Sequence, residues 1–95
     1  MRAVIHRALR AALTPEQRAL AASAWRYFEN NFRPETCLYD SVDEYPSTTM
    51  WDTASALAAL VSAFELGVID AALFDDRTSC LLASLARMPL YRSEL

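Results

Sequence analysis

Asp52 is the residue in this chain best placed to do chemistry. It closes the run Tyr45-Pro46-Ser47-Thr48-Thr49-Met50-Trp51-Asp52, where hydroxyls, an aromatic ring and a carboxylate crowd into eight positions. Hydrolysis of a glycosidic bond needs two carboxyl groups, one protonated to donate to the leaving oxygen and one ionised as base or nucleophile. A carboxylate in the first turn of a helix is held ionised by the dipole and the free N–H groups. Asp52 therefore reads as a base or nucleophile and not as an acid. Asp43 and Glu44 are the nearby candidates for the acid; otherwise that group lies beyond Leu95. Trp51 and Tyr45 offer aromatic faces, and Thr48 and Thr49 offer hydroxyls to position a sugar. The same residues have a structural reading. Thr49-x-x-Asp52 has the capping-box spacing, with the acid reaching back to the cap N–H, and Trp51 can equally be a helix-end packing residue.

Three helices must position this run. Thr14 and Gln17 match a capping box and Pro15 suits the first helical position, which predicts a helix from Pro15 to Asn31 or Phe32. Ala21, Trp25, Phe28 and Phe32 form its apolar stripe, widened by Tyr27. Such a stripe is read as core before it is read as a sugar platform. Arg33-Pro34 ends the helix. A long connection runs on to Thr48, read as a solvated loop with turns at Asp40 and Asp43, and long irregular loops are often functional. The second helix, Met50 to Leu66, is apolar nearly all round, which requires cover on most sides. Gly67 suits the left-handed residue after a helix end. Asp70 caps a third helix, Ala71 to Arg87, with Phe74, Leu81, Leu82, Leu85 and Met88 on one side and Asp75, Asp76 and Arg77 on a solvated face. The short link predicts an antiparallel hairpin of the second and third helices. Residues 1–13 read as a leader or short helix in which His6 is exposed, and residues 14–95 as one helical unit truncated at its C-terminus.

Composition narrows the classes. The chain has 95 residues, 54% hydrophobic and 22% charged, with one glycine, which is globular and disfavours a turn-rich β fold. The net charge is −3, and from residue 34 onward three arginines face ten carboxylates. A nucleic-acid partner is therefore not expected. No metal-ligand spacing occurs, and no metal or cofactor is expected. Cys37 and Cys80 are read as a loop cysteine and a small buried hydrophobe, with a disulfide as the alternative for an exported chain. Met1–Leu13 lacks the uninterrupted apolar stretch of a signal peptide.

Ala24-Trp25-Arg26-Tyr27-Phe28-Glu29-Asn30-Asn31-Phe32, Pro34-Glu35-Thr36, Tyr45 to Ala54 and Glu65-Leu66-Gly67-Val68-Ile69 together resemble a bacterial family, domain of unknown function 3131. That family is similar to glucoamylase-like proteins built as (α/α) toroids of helical hairpins. The resemblance covers most of residues 13–95. It implies an all-α fold of antiparallel hairpins that forms the N-terminal part of a toroid. Missing C-terminal hairpins, or a second subunit, would then cover helix 50–66. It further implies a polysaccharide or oligosaccharide partner and a place in the periplasm or cell envelope. It places glycines, at turns, where Cys37 and Glu44 stand. The reading from another class is a small all-helical interaction module without catalysis, or a truncated product with no function of its own.

Overall fold

The computed structural model describes residues 13–89. The order of elements is α1 (Pro15–Asn30), β1 (Phe32–Arg33), β2 (Leu38–Tyr39), α2 (Met50–Glu65) and α3 (Ala71–Arg87). The fold is mostly helical but not purely so: β1 and β2 pair antiparallel, with Phe32 opposite Tyr39 and Arg33 opposite Leu38. The leader expected over residues 1–13, with His6, falls almost wholly outside the described residues.

Each helix begins where its cap directs. The Gln17 N–H donates to Thr14 Oγ1 at 3.1 Å, and the Thr14 N–H donates to Gln17 Oε1 at 2.9 Å, so both halves of the capping box form. Asp70 accepts from the Leu73 N–H at 2.8 Å. At the end of α2, Gly67 takes φ 76°. The Gly67 N–H then donates to the Phe64 carbonyl and the Val68 N–H to the Ala63 carbonyl, the paired bonds of a Schellman turn. That turn folds α3 back on α2.

Helix α2 is the centre. It packs against α1, α3 and β2. Thr53, Ala56, Leu60 and Ala63 recur at three and four residues, so they share the buried face. Leu60 and Leu81 are fully buried in the core between the helices, and Phe64 stacks on Phe74 at 4.8 Å. On α1, Trp25 stacks on Phe28, and Phe28 meets Tyr39 of β2, which in turn contacts Phe32 at 5.2 Å. The opposite face of α2, including Ala54, Ala58 and Val61, is exposed.

Three side-chain expectations change. Leu82 and Met88, expected with the α3 core face, are exposed. Arg77, expected on a solvated face, lies over the Phe32 ring at 3.6 Å. A cation on an aromatic face is attracted by the ring quadrupole, so Arg77 closes the core edge instead of pointing to water. It also acts on the buried Tyr39 phenol. Burial pushes that phenol up to about 12, against the opposing charge of Arg77 and with a smaller push from Glu29.

Cys37 and Cys80 form a disulfide, with Cα atoms 5.7 Å apart and a sequence separation of 43. The reading of two unpaired cysteines is thus corrected: the pairing of β1 with β2 brings the Cys37 turn against α3, and neither cysteine pairs locally. The Ser84 hydroxyl donates to the Thr36 carbonyl beside it. A cross-link closing a loop of this length stabilises by about 4 kcal/mol through the entropy it removes from the unfolded chain, and typically by about 2–4. A Cys37→Ser/Cys80→Ser variant is expected to lose about 2–4 kcal/mol of unfolding free energy in urea melts. An unchanged midpoint would mean that the bridge adds nothing.

Candidate functional site

The connection between β2 and α2 is built around Asn31, the residue after α1. Asn31 is 1% exposed. Its side-chain amide donates to the Tyr27 carbonyl at 2.8 Å and to Asp43 Oδ1 at 2.9 Å, while its Oδ1 accepts the Glu44 N–H at 2.7 Å. Its backbone carbonyl accepts the Asp40 N–H. One buried amide thus joins the end of α1 to both halves of the loop. The Tyr27 hydroxyl adds a bond to the Asp40 carbonyl at 2.8 Å.

The turn so held is tight. Val42 and Tyr45 form a β-bridge, the Ser41 N–H donates to the Ser47 carbonyl, and Glu44 takes φ 58°. Cys37, in the preceding turn, takes φ 61°. Among the described residues these are the two non-glycine positions in the left-handed region, and they stand where the resemblance places glycines. The left-handed conformation costs a residue with a Cβ roughly 1–2 kcal/mol, a cost that glycine would not carry at either position.

The loop delivers Ser41 and Thr48 to the start of α2. Asp52 Oδ2 accepts from the Ser41 hydroxyl at 2.7 Å and from the Thr49 hydroxyl at 2.7 Å. Thr49 Oγ1 in return accepts the Asp52 N–H at 3.0 Å, as an N-cap should. Ser41 has one proton, and the shorter contact to the carboxylate takes it. Thr48 Oγ1 lies 3.3 Å from the Ser41 hydroxyl and directs its own proton to the Thr49 carbonyl at 3.4 Å. The expected capping box forms only by half: the Asp52 carboxylate turns to two hydroxyls instead of the cap N–H. Those hydroxyls, Thr49 first and Ser41 second, hold the Asp52 carboxyl below its ordinary value against a smaller opposing effect of burial. Asp52 Oδ1 accepts no hydrogen bond among the described residues and remains available as an acceptor.

The other sequence candidates fall around this centre. Trp51 is 83% exposed and Tyr45 64% exposed, so neither is a packing residue within the described chain. Trp25, by contrast, is buried and donates to Glu29 Oε1. Asp43 is engaged in anchoring Asn31, while Glu44 is exposed and serves the turn through its backbone. Neither makes a hydrogen bond to Asp52. Asp43, Asp40 and Asp52 nonetheless all bear on Tyr27, whose phenol is raised first by burial and then by these three charges. Below the hairpin, Arg33 and Asp40 form a bidentate pair, Nε to Oδ1 at 3.0 Å and Nη2 to Oδ2 at 2.7 Å. Asn31, Ser41 and the Arg33–Asp40 pair do not stand out in the sequence. Among the described residues no group of three or more His, Cys, Asp or Glu side chains could hold a metal ion, and no helix is long and apolar enough to cross a membrane.

The family described as Protein of unknown function (DUF3131) matches residues 19–95. No curated protein and no solved structure matches the chain.

A depressed carboxyl contributes stability that is present above its unfolded value, about 4, and is lost as pH falls through the lower folded value. In a carbon-detected NMR titration Asp52 is expected to titrate below 3.8. A Ser41→Ala/Thr49→Val variant should bring it back toward the ordinary value. An Asp52 midpoint at or above the ordinary value in the unsubstituted protein would contradict this arrangement and reverse the role of Asp52 from base to acid.

Proposed function

The chain belongs to the DUF3131 family of proteins of unknown function, and we propose that it supplies one wall of a saccharide-binding cleft on a glycoside hydrolase-like protein or a non-catalytic glycan-binding relative. The observation that carries this reading is an almost fully exposed Trp51 next in the chain to an Asp52 carboxylate held in place by Ser41 and Thr49. An exposed indole on a fixed helix start is a platform for the apolar face of a pyranose. The adjacent carboxylate keeps one oxygen for a sugar hydroxyl or an attacking water.

On this reading Asp52 is the base of a hydrolytic pair; Asp43 anchors the loop, and the acid partner is Glu44 or a group outside the described residues. Further helical hairpins, as in an (α/α) toroid, would cover the exposed face of α2 and complete the cleft. A location in the cell envelope agrees with the Cys37–Cys80 disulfide, because such bonds persist in oxidising compartments. The competing reading is a helical interaction module that associates through Ala54, Ala58 and Val61 of α2.

The test is calorimetric titration of the protein with α- and β-linked glucan oligosaccharides. Trp51→Ala is expected to weaken binding at least about tenfold, the loss of roughly 1.4 kcal/mol. Asp52→Asn should abolish turnover where turnover occurs. Sedimentation as a stable dimer, with no glycan bound by the unsubstituted protein, would favour the interaction module instead.

A further inference from the structure

A groove of 160 Å³ lies between the β1–β2 hairpin and residues 46–48, lined among others by Arg33, Glu35, Thr36, Asp40 and Thr48. Trp51 does not line it. Thr48, on its rim, lies 3.3 Å from the Ser41 hydroxyl, and Ser41 donates to Asp52, so the groove approaches the Asp52 carboxylate through Ser41.

Arg33 gives the groove its chemistry. Asp40, whose side chain is 2% exposed, occupies the Nε–Nη2 edge of the guanidinium. A guanidinium carries five N–H donors in a fixed fork. Asp40 takes those of one edge, and no hydrogen bond among the described residues takes Nη1. The remaining donors belong to a rigidly held, 35% exposed side chain on the groove wall. The hydrogen bonds to Asp40 first, and then the Asp40 and Glu35 charges, push the guanidinium further above its ordinary value, against a smaller opposing effect of burial. An anionic ligand is disfavoured here, because Glu35, Asp40, Asp43, Glu44 and Asp52 outnumber Arg33 in this segment. A neutral polyol fits: adjacent hydroxyls can accept from Nη1 and donate to the exposed Glu35 carboxylate or the Thr48 hydroxyl. The volume lies well below the roughly 300–1,000 Å³ that encloses a drug-sized ligand, which limits the groove to a single ring.

Resting on the saccharide reading of the Trp51–Asp52 surface, we propose that this groove is a second subsite of the same cleft. It takes one neutral pyranose unit of a chain whose neighbouring unit stacks on Trp51, and Arg33, braced by Asp40, donates to a vicinal diol of that unit. The hydrogen-bonded fork makes Arg33 a specificity residue: a sugar lacking one of the two hydroxyls leaves a donor unpaired.

The experiment is a two-dimensional NMR titration of the full chain with maltotetraose, cellotetraose and laminaritetraose. It follows the Trp51 indole N–H, the Arg33 side-chain N–H and the amides of Glu35, Thr36 and Thr48. At least one probe is expected to shift both groups with one common binding curve. Arg33→Lys, which keeps a cation beside buried Asp40 but loses the fork, should weaken that binding about tenfold or more. Glu35→Ala, at an exposed position, should weaken it about threefold without altering the thermal midpoint. Shifts confined to Trp51 and its neighbours, with Arg33→Lys binding unchanged, would overturn the subsite and leave the saccharide reading standing. No shift with any probe would overturn both.

Discussion

The local structure of the candidate site depends on one buried amide. Asn31 ends α1 and, from a position closed to water, bonds the last turn of that helix, the Asp43 carboxylate and the Glu44 backbone. A buried amide is costly unless satisfied, and each bond lost here would leave a polar group unpaired at about 1–3 kcal/mol. The three bonds therefore permit few loop geometries. The one adopted forces Glu44 into the left-handed region and turns Ser41 and Ser47 toward each other. Strain at Glu44 is the local cost of bringing Ser41 to Asp52.

Under that constraint three carboxylates in and beside the loop are individually held. Asp40 is matched by Arg33, Asp43 by the Asn31 amide, and Asp52 by two hydroxyls and the start of α2. Fixed carboxylates and a fixed guanidinium offer acceptors and donors at set positions. The disulfide from the Cys37 turn to α3 secures the far side of the same hairpin. The loop is thus tied at three places, to α1, α2 and α3, although it has little regular structure of its own.

Much of the helical frame is legible in the sequence because its signals are local. Thr14-x-x-Gln17, Asp70 and Gly67 each act within a turn of their own position, and all three do what their types predict. The low Asp52 value is also foreseeable from its place in a first turn, though its main cause is the Thr49 and Ser41 hydroxyls. Features that depend on distant partners are not legible. Strands of two residues carry no periodicity, so Phe32–Arg33 and Leu38–Tyr39 read as loop. Cys37 and Cys80 are brought together only once that hairpin forms and α3 folds back. Arg77 reads as solvated beside Asp75 and Asp76, since nothing local reveals Phe32 beneath it. Asn31 is one of two adjacent asparagines at a helix end, and only the fold distinguishes it from exposed Asn30.

Asn31 does not touch Asp52; the loop it anchors carries Ser41, which does. The most direct measurement of this coupling is the titration of the Asp52 carboxyl in Asn31→Ala, under conditions where near-ultraviolet circular dichroism shows a folded core. The Asp52 midpoint is expected to rise part of the way toward its ordinary 3.8, because Ser41 is no longer delivered while Thr49, in the cap itself, stays. A midpoint as low as in the unsubstituted protein would contradict the coupling, and would mean that Thr49 and the helix start alone hold the carboxylate.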